Sequence, residues 1–262
     1  KERRNESNIN MEYSTDGYST LMKKALEVGY KFINFENQLK RKKTTNDGLL
    51  LLRHDIDLDL LAATTLAEIE YGLGISATYF LMIKSPAYNL FARHNIKYTN
   101  KIISLGHKIG LHYDISFDQD RNYTGEQTYK EIQLECRLIE DTFNTKVDTV
   151  SLHQPTVDCL DFGKKTFNKL FTHDYQIAKS IKYFSDSNRG LCFSRELRNK
   201  SLEDLFPKNI QLLVHPVWWY YNTPSTIDVW NSTLMNNFSH MQKQFLETER
   251  AYGKKRKFTI SS

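Results

Sequence analysis

The stretch Leu49-Leu50-Leu51-Leu52-Arg53-His54-Asp55-Ile56-Asp57-Leu58-Asp59 decides how the chain is read. Four consecutive leucines bounded by polar residues suit a short strand buried on both faces, as in a helix-covered parallel sheet. The run passes straight into Asp55 and Asp57. Side chains alternate along a strand, so these two carboxylates share one face at its C-terminal end. Carboxylates this close repel, and one takes a raised pKa unless a cation lies between them. A bound metal resolves the conflict, with one carboxylate as ligand and the other free as a general base. Asp59 is expected to cap the next helix.

On either side, strands and helices alternate. Ser19–Val28 has helical spacing with Gly29 as its C-cap, and Tyr30–Phe35 alternates like a strand. The turn Asn46-Asp47-Gly48 leads into the leucines. A helix is predicted from Asp59 to about Tyr71, stopped by Gly72 and Gly74, and then a buried strand over Ile75–Ile83. A helix near Ile96–Leu105 ends at Gly106 and is followed by a strand over Ile109–His112. Glu126–Phe143 is the clearest amphipathic helix. Strands are expected over Val147–Leu152, Ile181–Phe184 and Ile210–Val214, and a helix from about Ser225 to Tyr252 closes the chain. Strand then helix, repeated six or seven times, implies an α/β fold with a mostly parallel sheet and helices outside. A length of 262 residues allows two small domains or one α/β barrel, and no Ser/Gly-rich linker parts two domains. At that size neither metal nor disulfide is needed to fold, so any metal serves chemistry.

In such folds the site lies at the C-terminal strand ends. Gly106-His107-Lys108-Ile109-Gly110-Leu111-His112-Tyr113-Asp114 places His112 there, with Asp114 on the same side as a ligand or an orienting group. His107, between glycines, is expected to serve turn hydrogen bonding. Ser151-Leu152-His153-Gln154-Pro155 and Leu212-Leu213-Val214-His215-Pro216 repeat the pattern of a histidine just past a strand. Together these supply nitrogen and oxygen metal ligands, a carboxylate base and a spare imidazole acid, which is the equipment of a hydrolase. Asp186, after Tyr183-Phe184-Ser185, either orients a catalytic group or caps a turn. Trp218-Trp219-Tyr220-Tyr221 reads as core or lid, or as a platform for a sugar ring. His94, His173 and His240 are expected at the surface or in support.

Composition narrows the function classes. With 40% hydrophobic and 13% aromatic residues the chain is not disordered. The net charge of +5 comes from two runs, Lys40-Arg41-Lys42-Lys43 and Lys254-Lys255-Arg256-Lys257. Setting those aside leaves a slightly acidic body, so nucleic acid is not the expected partner. Cys136, Cys159 and Cys192 form no paired spacing, which suggests reduced thiols. With no recognisable export signal, this points to the cytoplasm. No apolar run approaches the ~20 residues of a transmembrane segment.

These residues resemble the polysaccharide deacetylase superfamily, also called NodB-like or carbohydrate esterase family four, in its His-Asp-x-Asp branch. The matching stretches are LLLRHDIDLD (50–59), GISATYFLM (74–82), LGHKIGLHYD (105–114), SLHQP (151–155), YFSDS (183–187) and LVHPVWW (213–219), in the family's order. The resemblance implies a distorted (β/α)7-type barrel in a single domain. Residues 1–48 would form an N-terminal helix and strand extension with the basic connector. Residues 49–222 would be the barrel, and 223–262 a C-terminal helix and basic tail packed on the same domain. Asp55 then resembles the general base, Asp57 a metal ligand, and His112 the first histidine of a His-x-x-x-His metal motif. His215 matches the acid that protonates the leaving amine, and Asp186 the residue that orients the site.

Two departures stand out. The second histidine of the metal motif would fall at position 116, which is Ser116, and His153-Gln154 stands where the family has an arginine. His153 is the expected substitute ligand because it ends the neighbouring strand. Asp114 is the alternative, and a degraded site that holds metal poorly is the third. The expected activity is metal-dependent removal of an N-acetyl group from a sugar of a surface polysaccharide or its precursor, with zinc the first choice of metal. The expected partner is an acetylated sugar or glycan; the oligomeric state is not encoded in any motif. The alternative is a catalytically degraded protein of this fold that binds carbohydrate or assists assembly.

Overall fold

The leucine run lies at the centre of a parallel sheet. The computed structural model describes residues 13–40, 48–155, 169–173, 181–189, 209–223 and 225–249. Its strands are β1 (Lys31–Phe32), β2 (Leu49–Ile56), β3 (Thr78–Leu81), β4 (Lys108–Asp114), β5 (Val147–His153), β6 (Leu170–Phe171), β7 (Lys182–Ser185) and β8 (Asn209–Val214). The order is β6-β5-β4-β3-β2-β8-β7, with β1 beside the start of β2, and every pairing is parallel. All eight residues of β2 are buried, as a strand covered on both faces requires. β6 and β7 are the two ends of this order, yet Thr172, just after β6, and Tyr183 of β7 line the same cleft. The sheet is therefore curled into the expected distorted barrel.

The helices are α1 (Thr15–Glu27), α2 (Phe35–Lys40), α3 (Leu60–Gly72), α4 (Arg93–Ser104), α5 (Ser116–Asp120), α6 (Gly125–Phe143), α7 (Pro216–Tyr220) and α8 (Thr226–Thr248). Asp59 caps α3 as expected, its Oδ1 accepting from the amides of Leu61 at 2.8 Å and Ala62 at 3.3 Å. Thr124 and Gln127 form a capping box at the start of α6. From α1, Tyr18, Leu21, Met22 and Ala25 are buried in the same core as Leu50, Leu52 and Ile56 of β2.

Several boundaries differ from the sequence expectation. β2 runs on through Arg53, His54, Asp55 and Ile56, so the polar motif belongs to the strand itself. The strand expected over Tyr30–Phe35 is only Lys31–Phe32. β1 pairs with Leu49 and Leu50, while β3 pairs with β2 from Arg53 onward, so neither has the whole edge. Phe35 instead begins α2 and meets Phe80 edge to face at 5.9 Å. β3 is shorter than Ile75–Ile83 because the Ile75 amide still bonds to the Glu70 carbonyl at the end of α3, where Gly74 takes φ +70°. β4 extends to Asp114, two residues further than expected. Ser225 is the N-cap of α8 rather than its first turn, and residues 250–252 of the expected helix lie outside the described residues.

Candidate active site

Alternation along β2 divides its polar residues between two faces. Arg53 and Asp55 point into the cleft, and Asp57 follows on that side. His54 points the other way, towards α3. Arg53 grips Asp55 with a fork, Nε to Oδ1 at 2.9 Å and Nη2 to Oδ2 at 2.7 Å, with both side chains buried. Its Nη1 also donates to Thr172 Oγ1 at 2.8 Å, and Nη2 to Ser151. Burial works to raise the Asp55 pKa, but the Arg53 charge, then that of His112, overrides it and holds the carboxyl well below the usual range. Asp55 is thus held as an anion.

Asp57, His112 and His153 come together beside it. Their candidate ligand atoms all lie within 4.8 Å of one another. His112 Nε2 is 3.0 Å from Asp57 Oδ1 and 3.1 Å from His153 Nδ1, and His153 Nδ1 is 3.7 Å from Asp57 Oδ1. A tetrahedral ion with bonds of about 2.0–2.1 Å spaces its ligands about 3.3–3.4 Å apart, which these separations bracket. Asp57 Oδ1 is buried, and among the described residues no donor satisfies it with hydrogen-bond geometry. His112 Nδ1 lies 3.3 Å from the Ser151 carbonyl, which can only accept, so Nδ1 carries a proton. Burial works to lower the His112 pKa, but the Asp55 and Asp57 carboxylates prevail and raise it, so a bound cation would take the place of the second proton, on Nε2. Burial and the neighbouring His112 charge lower the His153 pKa against the pull of Asp57, favouring the neutral ligand form. The donor set fits a divalent metal.

His215 stands on the other side of Asp57, with Nε2 3.8 Å from Asp57 Oδ2. Pro216 starts α7, and the His215 side chain is turned back on Asp186, Nδ1 to Oδ1 at 2.6 Å. The His215 main-chain amide also donates to both Asp186 oxygens, at 3.0 and 2.9 Å, and Trp219 Nε1 donates to Oδ2 at 2.9 Å. Burial works to lower the His215 pKa, but the Asp186 carboxylate prevails and raises it to about 9. The ring is thus protonated near neutrality, with Nε2–H toward the cleft.

The cleft has a volume of about 920 Å³. Asp55, Asp57, His112, His153 and His215 line it, and Met82, Leu152, Trp218 and Trp230 contribute apolar wall. Three of the aromatics after Val217 divide their roles. Trp219 is fully buried against Asp186, Trp218 faces the cleft, and the Tyr221 hydroxyl donates to Asp59 at 2.6 Å.

The structure brings together every site residue predicted from the sequence: Asp55, Asp57, His112, His153, Asp186 and His215. Asp114 is directed elsewhere, since its Oδ1 accepts from the Ser116 amide at 3.1 Å and hydroxyl at 2.6 Å. His107 is buried between Ala77 N–H and the Ala67 carbonyl, a structural role as expected. His94 and His240 stack on each other at 5.2 Å. Sequence reasoning missed Arg53, Ser151 and Thr172 around Asp55, and His173 in the cleft wall. Arg53 had a visible signal, because Arg-x-Asp-x-Asp puts all three on one strand face. Thr172 and His173 had none.

No protein-family model matches the chain, and no curated protein does. Similar solved structures include a chitin deacetylase from the fungal pathogen Colletotrichum lindemuthianum, 15% identical over 72% of this chain and 82% of that one, with a TM-score of 0.45. A Streptococcus mutans CE4 esterase is 13% identical over 84% and 95% of the two chains, with a TM-score of 0.45. A CE4 family pseudoenzyme from Bacillus anthracis is 14% identical over 75% of this chain, with a TM-score of 0.40, and this chain spans 63% of its length.

Proposed function

We propose that the protein is a metal-dependent deacetylase that hydrolyses the N-acetyl group of a sugar in a surface polysaccharide or its precursor. The observation that carries this reading is the cluster of Asp57, His112 and His153 set between an ionised carboxylate, Asp55, and a proton-bearing imidazole, His215. These three residues would hold a divalent cation, zinc first, which acidifies a water and polarises the acetyl carbonyl. Asp55, held ionised by Arg53 and lying 3.7 Å from His112, is placed beside the metal set to accept a proton from water. Asp55 receives that proton as the water oxygen bonds to the acetyl carbon. His215 Nε2–H then protonates the sugar nitrogen as the C–N bond breaks, releasing acetate and a free amine. That proton is required because an amide anion is a very poor leaving group. Asp186 holds His215 in the donating tautomer, and Trp218 offers an apolar wall to the sugar.

A non-catalytic, carbohydrate-binding role is the second reading, favoured by Ser116, whose hydroxyl serves Asp114 instead of offering a ligand. One experiment separates the two. Acetate release is followed from a panel of acetylated sugar nucleotides, lipid-linked sugars and oligosaccharides, with chelator and with zinc restored. Release that stops with chelator and returns with zinc supports the hydrolase. Protein that takes up no metal under any loading and releases no acetate supports the binder.

A further inference from the structure

The outward face of α8 is apolar. At about 100° per residue, Ile227, Trp230, Leu234, Phe238 and Met241 fall within an arc of about 80°. All five are exposed, from 37% for Phe238 to 66% for Ile227. The face that meets the body is largely polar: Val229 and Thr233 are buried, Asn237 Nδ2 donates to the Ala87 carbonyl at 2.9 Å, and His240 stacks on His94. This inverts the usual amphipathic arrangement, in which the apolar face packs inward. From Ile227 to Met241 the stripe runs about 21 Å along the helix, too extended for incidental surface.

Two further features identify the occupant. A few residues beyond α8 the sequence carries Lys254-Lys255-Arg256-Lys257, a compact positive run well able to offset Glu247 and Glu249. The flanks of the stripe carry the amides Asn231, Gln242 and Gln244 rather than the paired charges that specify a helix partner. An apolar face rich in aromatic and long aliphatic side chains beside a polybasic segment is the chemistry of an anionic lipid surface. Trp230 joins this face to the cleft, which it lines while packing on Trp218 at 6.2 Å.

We propose that α8 docks the protein onto an anionic membrane surface, with the active-site cleft opening beside the lipid headgroups. Docking does not depend on the hydrolytic reading, and it can fail or hold by itself. The full chain is floated with phosphatidylcholine vesicles and with vesicles one third phosphatidylglycerol. Each basic residue near an anionic surface strengthens association about fivefold. The protein should therefore bind the anionic vesicles at least about tenfold more tightly, and about 0.5 M salt should remove most of that gain. Leu234→Asp with Phe238→Asp should weaken binding at least about tenfold with circular dichroism unchanged. Acetate release from a soluble acetylated sugar is measured on the same double variant and should be unchanged, so docking and hydrolysis are read separately. Equal binding to both vesicle types, or full binding by the double variant, overturns the proposal. So does a wild-type dimer that the double variant splits while neither protein binds vesicles, since the occupant is then a second copy of this chain.

Discussion

The Asp186 carboxylate receives both the ring Nδ1 and the main-chain amide of His215, a residue 29 positions away. The aspartate therefore fixes the strand end, the ring tautomer and the proton on that ring together. Asp186→Asn should lower kcat at least about 100-fold, because an amide can neither hold the charged ring nor enforce its tautomer. KM should move less than about threefold, since Asp186 is buried beneath the ring. Steady-state kinetics on the refolded variant check this, and a loss confined to KM would contradict the role.

The metal set and the base should separate cleanly. His112→Ala and His153→Ala should each lose bound metal, read by elemental analysis after dialysis. Asp55→Asn should retain about one equivalent while losing about 10²–10⁴-fold in kcat. If His153→Ala keeps its metal and its activity, the third ligand is not His153.

Arg53 and Asp55 form a buried pair, so removing one partner strands the other charge. Arg53→Met should destabilise the fold by about 3–5 kcal/mol in urea denaturation. Adding Asp55→Asn to Arg53→Met should recover much of that loss. Strictly additive effects would mean that the two side chains do not share their stability.

Behind β2, His54 Nε2 lies 2.6 Å from Glu70 Oε1, Tyr79 donates to Oε2 at 2.9 Å, and Tyr18 donates to Oε1. Burial works to raise the Glu70 pKa, but the His54 charge and hydrogen bond prevail and lower it. A depressed folded pKa stabilises above the unfolded value of about 4.3, and that contribution is lost as pH falls through the folded pKa. Urea stability should therefore drop as pH is lowered from about 5 to 3. Glu70→Gln should be less stable at pH 7 and show a flatter acid slope over the same window.

Much of the candidate site was legible because its motifs are local. Each histidine directly follows or ends an apolar run, and alternation along one strand places Asp55 and Asp57 together. The same alternation places Arg53 on that face beside Asp55. Thr172 stayed hidden, since nothing in its neighbourhood resembles a strand-end motif, and α2 was hidden inside an alternating pattern.

The sequence by itself determined the alternation of strands and helices, the parallel α/β class and the chain positions of the polar strand ends, all properties of short windows with a fixed period. Tertiary structure alone decided which of them meet. A register shift between β4 and β5 sets His153 opposite Asp114 and Ser151 opposite His112, and so gives His112 an imidazole neighbour. Pairing of β7 with β8 brings Asp186 to His215, and packing of α7 sends Trp219 inward while Trp218 faces the cleft. Strand register and helix packing depend on contacts across the whole chain, and no window of sequence contains both partners.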